Sequence, residues 1–232
     1  METLDLAQRI AIWLLPVLFA ITVHEVAHGW VASKLGDPTA LMLGRLSLNP
    51  IKHIDPVGTL LIPGTMLLLS GFVFGWAKPV PVTYENLHKP KRDMALVALA
   101  GPGANLLMSL IWALVIKLAI LLWSSSQWVA LPLLYMGVAG IFINVILMVL
   151  NLLPLPPLDG GRVLTGLLPG PLAWKLSQLE PYGLFILVGL LVTGILGTII
   201  SPPIVWLQSL LSEMVGLPPE IFHQARMSLM GL

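Results

Sequence analysis

Apolar stretches of membrane-crossing length follow one another along the whole chain, separated by short breaks of Gly, Pro and charged residues. The first, from about residue 7 to 34, is predicted to be one helix, long enough at 1.5 Å per residue to cross a hydrocarbon core of roughly 30 Å. Gly36-Asp37-Pro38 should stop it. Residues 40 to 50 alternate loosely between apolar and polar and are expected to be extended. Val57 to Trp76 has the length of a span, but Pro63-Gly64, Gly71 and Gly75 interrupt it, so it reads either as a span or as a re-entrant segment. After a loop from 77 to 92, helices are expected over 94 to 123, bent near Pro102, and over 129 to 152. Ser124-Ser125-Ser126-Gln127 is the turn between them. A span over 182 to 200 and a short apolar helix over 203 to 215 complete the pattern, and the tail beyond Gly216 carries no clear signal.

The fold class that follows is an all-α polytopic membrane protein of five to six membrane segments, organised as one integral domain over residues 1–232. Composition agrees, with 57% hydrophobic and only 10% charged residues and a mean hydropathy of +0.92, well outside the range of a soluble domain. A net charge of +1 with basic residues scattered over several loops excludes a nucleic-acid-binding role. The first apolar run follows Glu2, Asp5 and Arg9 rather than a basic region and ends in no small-residue cleavage pattern, so it is expected to be retained rather than removed as a signal peptide.

Within that first run stand His24-Glu25-Val26-Ala27-His28. Each ionisable residue near a bilayer centre costs about 2.5–3.5 kcal/mol on insertion scales, so three in five residues call for a function. Residues four apart share a helix face, which lets both imidazoles grip one metal ion, with Glu25 placed to take a proton from water. With no cysteine in the chain, any further ligand must be His, Asp or Glu. The candidates are His53, Asp55, His88, Asp93, Asp159, Glu180 and His223. Asp159 stands apart: it follows Leu153-Pro154-Leu155-Pro156-Pro157-Leu158 at the end of a membrane helix and precedes Gly160-Gly161. Non-helical backbone at membrane depth is tolerated only where it is buried in protein or lines water, which is where a metal ligand is expected.

His24-Glu25-x-x-His28 in a membrane helix and Asn151-x-x-Pro154-x-Pro156-x-Leu158-Asp159-Gly160 after a later one together resemble the site-2 protease family of intramembrane zinc metalloproteases, peptidase family M50. Asn49-Pro50-x-x-His53-x-Asp55-Pro56-x-Gly58 and Gly101-Pro102-x-x-Asn105 are similar to segments of its compact prokaryotic members. The resemblance implies one zinc ion held by His24, His28 and Asp159, with Glu25 as general base. It also implies a substrate strand positioned by Asn151 and the turn at Pro154, and a membrane-protein substrate cut within or near its membrane segment. Asn105 and His53 are further candidates for substrate contact, although each is also readable as a structural hydrogen-bonding residue, the reading favoured for His53. Gly101 and Gly103 read as sites of close helix packing. Two other functions fit the same residues, a membrane metal-ion transporter and an inactive relative that binds membrane segments. No PDZ or CBS module accompanies the motifs.

For Asp159 to meet His24 and His28, the helices that carry them to the site must run parallel. The loops holding Lys34, Arg45, Lys52, Lys78, Lys89, Lys91, Arg92, Arg162 and Lys175 would then share one face, expected to be cytoplasmic, with the active site nearer to it. Val57 to Trp76 would have to re-enter rather than cross. A prokaryotic cell membrane is the expected location.

Overall fold

The computed structural model describes residues 4–61, 65 and 77–231, with the backbone alone at 59 and 60. Helix α1 spans Leu6–Lys34. Its start is set by a capping box in which the Gln8 N–H donates to Asp5 Oδ1 at 2.8 Å and the Asp5 N–H donates to Gln8 Oε1 at 2.9 Å. Its end is set by Gly36, whose φ of +113° no residue with a Cβ adopts readily. Helix α3 (Pro90–Leu122) and helix α4 (Gln127–Asn151) form the expected hairpin. They approach closely because Gly137 and Gly140 leave room for Ile116 and Trp112, and this contact forms the centre of the main core.

Five stretches among the described residues are long and apolar enough to cross a membrane: Leu6–Lys34, Pro90–Leu122, Gln127–Asn151, Gly170–Val192 and Ile195–Met214. The chain is an integral, multi-pass, all-helical membrane protein, and no strand occurs among the described residues.

Four expectations need correction. Residues 40–50 are not an extended run; they begin with the short helix α2 (Thr39–Met42), and only 45–49 lack regular structure. The cause is Asp37, whose Oδ1 accepts from the Thr39 N–H and hydroxyl and so winds the chain into a turn. Residues 182–200 are not one span. After α5 (Asp159–Leu167), α6 (Gly170–Ser177) and a turn at Glu180–Tyr182, helix α7 (Gly183–Val192) ends at Gly194, which has a φ of +75°. Helix α8 (Ile195–Met214) then runs straight through Pro202 and Pro203, so 203–215 is not separate. A proline inside a helix costs about 3 kcal/mol, less than exposing a whole set of terminal N–H and C=O groups to lipid. The tail is not featureless either: α9 (Pro219–Met230) buries Phe222, Ala225 and Leu229.

The re-entrant reading of 57–76 falls outside the described residues, apart from Thr65 and a π-helical segment, wider than an α-helix, over Pro56–Leu61. Its flanks are described, and they touch. The Lys78 N–H donates to the His53 carbonyl at 2.9 Å and the Thr83 N–H to Asp37 Oδ2 at 2.7 Å. The loops before and after that stretch therefore lie on one face of the molecule.

Candidate metal centre

Helix α1 presents His24 and His28 one turn apart on the same face, as their spacing requires. The third group arrives from the Pro-rich turn. Chain leaving α4 at Asn151 folds back on itself, and α5 begins at Asp159, whose carboxylate sits at a helix N-terminus where negative charge is favoured. That fold-back depends on glycine: a Cβ on Gly160 would collide with the Leu152 carbonyl and one on Gly161 with the backbone around Pro156. Gly183, at the start of α7, rests on Pro156 and Pro157 in the same way.

The result is a compact triangle. His28 Nε2 and His24 Nε2 stand 3.1 Å apart, and Asp159 Oδ2 lies 3.3 Å from His24 Nε2 and 3.4 Å from His28 Nε2. Three ligands held 2.0–2.1 Å from a tetrahedral zinc would be separated by about 3.3–3.4 Å. His24 and Asp159 are buried, 8% and 9% exposed.

The hydrogen bonds behind the triangle decide what it can hold. His28 Nδ1 lies 2.7 Å from the Val97 carbonyl, which can only accept, so the proton is on Nδ1. His24 Nδ1 lies 2.6 Å from Asn105 Oδ1. The Asn105 amide is oriented by donating to the Ala20 carbonyl at 3.1 Å and to Asn144 Oδ1 at 2.9 Å, which leaves its oxygen as the acceptor. Asn144 in turn donates to the Gly140 carbonyl. Both Nε2 atoms therefore turn lone pairs inward toward Asp159 Oδ2, itself buried without a hydrogen-bond partner. Three inward-facing acceptors repel one another unless positive charge, a metal ion or a proton on one imidazole, lies between them. The residues fit a divalent metal with nitrogen and oxygen ligands.

Glu25 is half-buried beside the triangle, and its Oε2 accepts from the Val80 N–H at 2.8 Å. Gly101 forms the wall behind the imidazoles, since a Cβ there would come within 2.5 Å of His24 Cε1 and 2.6 Å of His28 Cε1. Gly103 has nothing within 4 Å of the same construction, so close packing accounts for Gly101 but not for Gly103.

The remaining candidates divide. Pro154 is exposed on the turn leading to Asp159, and half-buried Asn151 donates to the Leu147 carbonyl of its own helix. Asn105 is not placed to touch a substrate: it is fully buried, and its amide is spent on His24, Ala20 and Asn144. His53 is likewise 2% exposed. Its Nε2–H donates to the Ser47 carbonyl at 2.8 Å and its own carbonyl holds Lys78, so it shapes a loop. Sequence reasoning passed over Val80, for which no side-chain signal exists, and Gly101's role as a wall for the two ligands.

The chain is 39% identical over 191 residues, 80% of its length and 82% of the relative's, to a protein of Bacillus subtilis (strain 168) named "Putative zinc metalloprotease YwhC". The chain belongs to peptidase family M50. Residues 119–192 match the model of that family, a stretch that contains Asn151 and Asp159. It is accordingly a metalloprotease. Relatives named Rip2, described in the same words, occur in Mycolicibacterium smegmatis, at 33% identity over 76% of this chain and 64% of the relative. They also occur in Mycobacterium tuberculosis, at 31% over 63% and 53%. No solved structure matches the chain.

Proposed function

We propose that this M50 protease hydrolyses peptide bonds within or near the membrane segments of other membrane proteins, using zinc held by His24, His28 and Asp159 and Glu25 as general base. The observation that carries this reading is the triangle of inward-facing acceptors lying between helices long enough to cross a bilayer. When bound, zinc supplies a Lewis acid that acidifies water and polarises a carbonyl.

The chain's own groups do the rest. Nδ1–H donation from His24 to Asn105 and from His28 to Val97 fixes each ring and keeps its Nε2 basic. The Glu25 carboxylate takes a proton from the attacking water and passes it to the leaving amine. A substrate helix hides its carbonyls in i to i−4 hydrogen bonds, so it must unwind before it is cut. Membrane segments with Gly, Pro or Asn near the cut are therefore favoured, and exposed Pro154 and half-buried Asn151 are the groups we assign to the unwound strand.

The same-face contact of the loops around 53 and 78 supports placing nine of the twelve basic residues on the active-site side. Arg9 lies beside Gly231 and Lys117 faces Gly216, which gathers the remaining three, with Arg226, toward the other end. By the positive-inside rule the active site opens toward the cytoplasm of a prokaryotic cell membrane.

The test is a reconstituted reaction with a single-span reporter whose membrane segment carries Gly and Pro near its centre. Wild type should cut it, and Glu25→Gln should bind zinc as before yet lose cleavage by at least ~100-fold. Full cleavage by Glu25→Gln would overturn the general-base assignment.

A further inference from the structure

Between α2 and α3 the chain passes over α1 in an irregular segment, 77–83, whose sequence leaves little choice of main-chain donor. Pro79 and Pro81 have no N–H, so Val80 supplies the single amide proton of that tripeptide. It goes to Glu25 Oε2, at 2.8 Å. The segment is pinned on both sides of that contact. Lys78 donates to the His53 carbonyl, Arg45 Nη2 donates to the Lys78 carbonyl at 3.0 Å, and Thr83 donates to Asp37. The Val80 side chain is 7% exposed and sits over Gly29, where a Cβ would come within 2.7 Å of Val80 Cγ1 and 2.6 Å of Leu46 Cδ2. The segment thus crosses α1 where the helix has no side chain, one residue beyond His28.

We propose that the Val80 main-chain N–H is a positioning group for the general base: it fixes Glu25 Oε2 and leaves Oε1 as the oxygen that takes the proton. The proposal rests on Glu25 acting as that base. It also gives one purpose to residues that have no contact with the metal centre, because His53, Arg45 and Asp37 all hold the segment at the height Val80 needs. Groups that orient a metal site from behind typically change activity 10–100-fold when lost.

The experiment uses the full chain with the same single-span reporter. Val80→Pro deletes the donor in a segment already flanked by prolines. We expect kcat to fall ~10–100-fold, with KM and bound zinc within about twofold of wild type. Val80→Ala keeps the N–H and should retain kcat within about threefold. In a Glu25→Gln background Val80→Pro should add no further loss, since the two changes act through one group. Wild-type kcat in Val80→Pro, or an equal loss in Val80→Ala, would overturn the proposal, the second outcome because packing would then explain it. If Val80→Pro does not fold, Arg45→Ala loosens the same segment and should lower kcat severalfold at unchanged KM; unchanged kcat counts against us. The two failures separate cleanly. An active Glu25→Gln removes the base itself, whereas an inactive Glu25→Gln beside a fully active Val80→Pro removes only the positioning role.

Discussion

Gly101→Ala is the sharpest perturbation the structure offers, because one methyl group reaches both imidazoles. Built onto the existing backbone, the new Cβ stands 2.5 Å from His24 Cε1 and 2.6 Å from His28 Cε1, and it also overlaps His28 Nε2. Carbon atoms in favourable contact stay about 3.5–4.0 Å apart, so the rings must withdraw by roughly 1 Å. The helix itself gains from the change, since Ala is favoured over Gly by about 1 kcal/mol in a helix interior, so any loss comes from the site rather than from α3. Metal ligands tolerate only about ±0.2 Å of displacement, and a 1 Å misplacement in an active site costs on the order of 100-fold in rate. We expect Gly101→Ala to lose zinc affinity at least ~10–100-fold, measured by competition with a chelator, and to lose cleavage at least ~100-fold at saturating zinc. Gly103→Ala, two residues along the same helix and facing open space, should match wild type. Zinc affinity within threefold and activity within twofold in Gly101→Ala would refute the close approach on which the geometry depends.

Asn105→Leu removes the acceptor that fixes the His24 tautomer, and should weaken zinc ~10–100-fold in the same competition assay while leaving Val80-dependent behaviour intact. Gly140→Ala places a Cβ 2.5 Å from Trp112 Cδ1 in the middle of the α3–α4 contact; thermal unfolding in detergent should show a loss of about 1–3 kcal/mol. Asp37 is fully buried. Burial alone would raise its pKa, but hydrogen bonds from Thr39, Asn86 and the Thr83 N–H outweigh it and hold the carboxyl below its ordinary value of 3.8. Its stabilisation is therefore complete above about pH 4 and lost as pH falls through the lowered folded value. Unfolding followed from pH 6 to pH 2 should show an acid-dependent component that Asp37→Asn lacks.

Much of the site was legible because its chemistry is incompatible with its surroundings. Two imidazoles and a carboxylate in an apolar helix demand a reason, and so does an aspartate after three prolines at the end of another. What could not be read was whatever depends on a neighbour distant in sequence. Gly101 and Gly103 look alike in the chain, and only the approach of α1 makes one a wall and the other a free surface. Val80 contributes a main-chain proton, which no side-chain pattern reveals. Asn105 and His53 were readable as either substrate contacts or structural partners, and burial decides for the structural role in both.

The misplaced boundary between 182 and 215 comes from weighing single residues without the membrane. The expected boundary fell between 200 and 203, yet the helix continues through Pro202 and Pro203 and the break comes earlier, at Gly194, where φ is positive. In lipid an unterminated helix is worth more than its ordinary propensity. The last helix had its signal in view: Phe222, Ala225 and Leu229 recur at helical spacing between Pro219 and Gly231, the residues expected at a helix start and just past its end.

Every role assigned to the site requires three protein ligands to converge on one ion. Zinc K-edge X-ray absorption on the purified protein measures this directly. We predict about one zinc per chain in a four-coordinate shell of nitrogen and oxygen at roughly 2.0–2.1 Å, with scattering from two imidazoles, and loss of that shell in Asp159→Ala. A histidine count other than two, or an unchanged shell in Asp159→Ala, would contradict it.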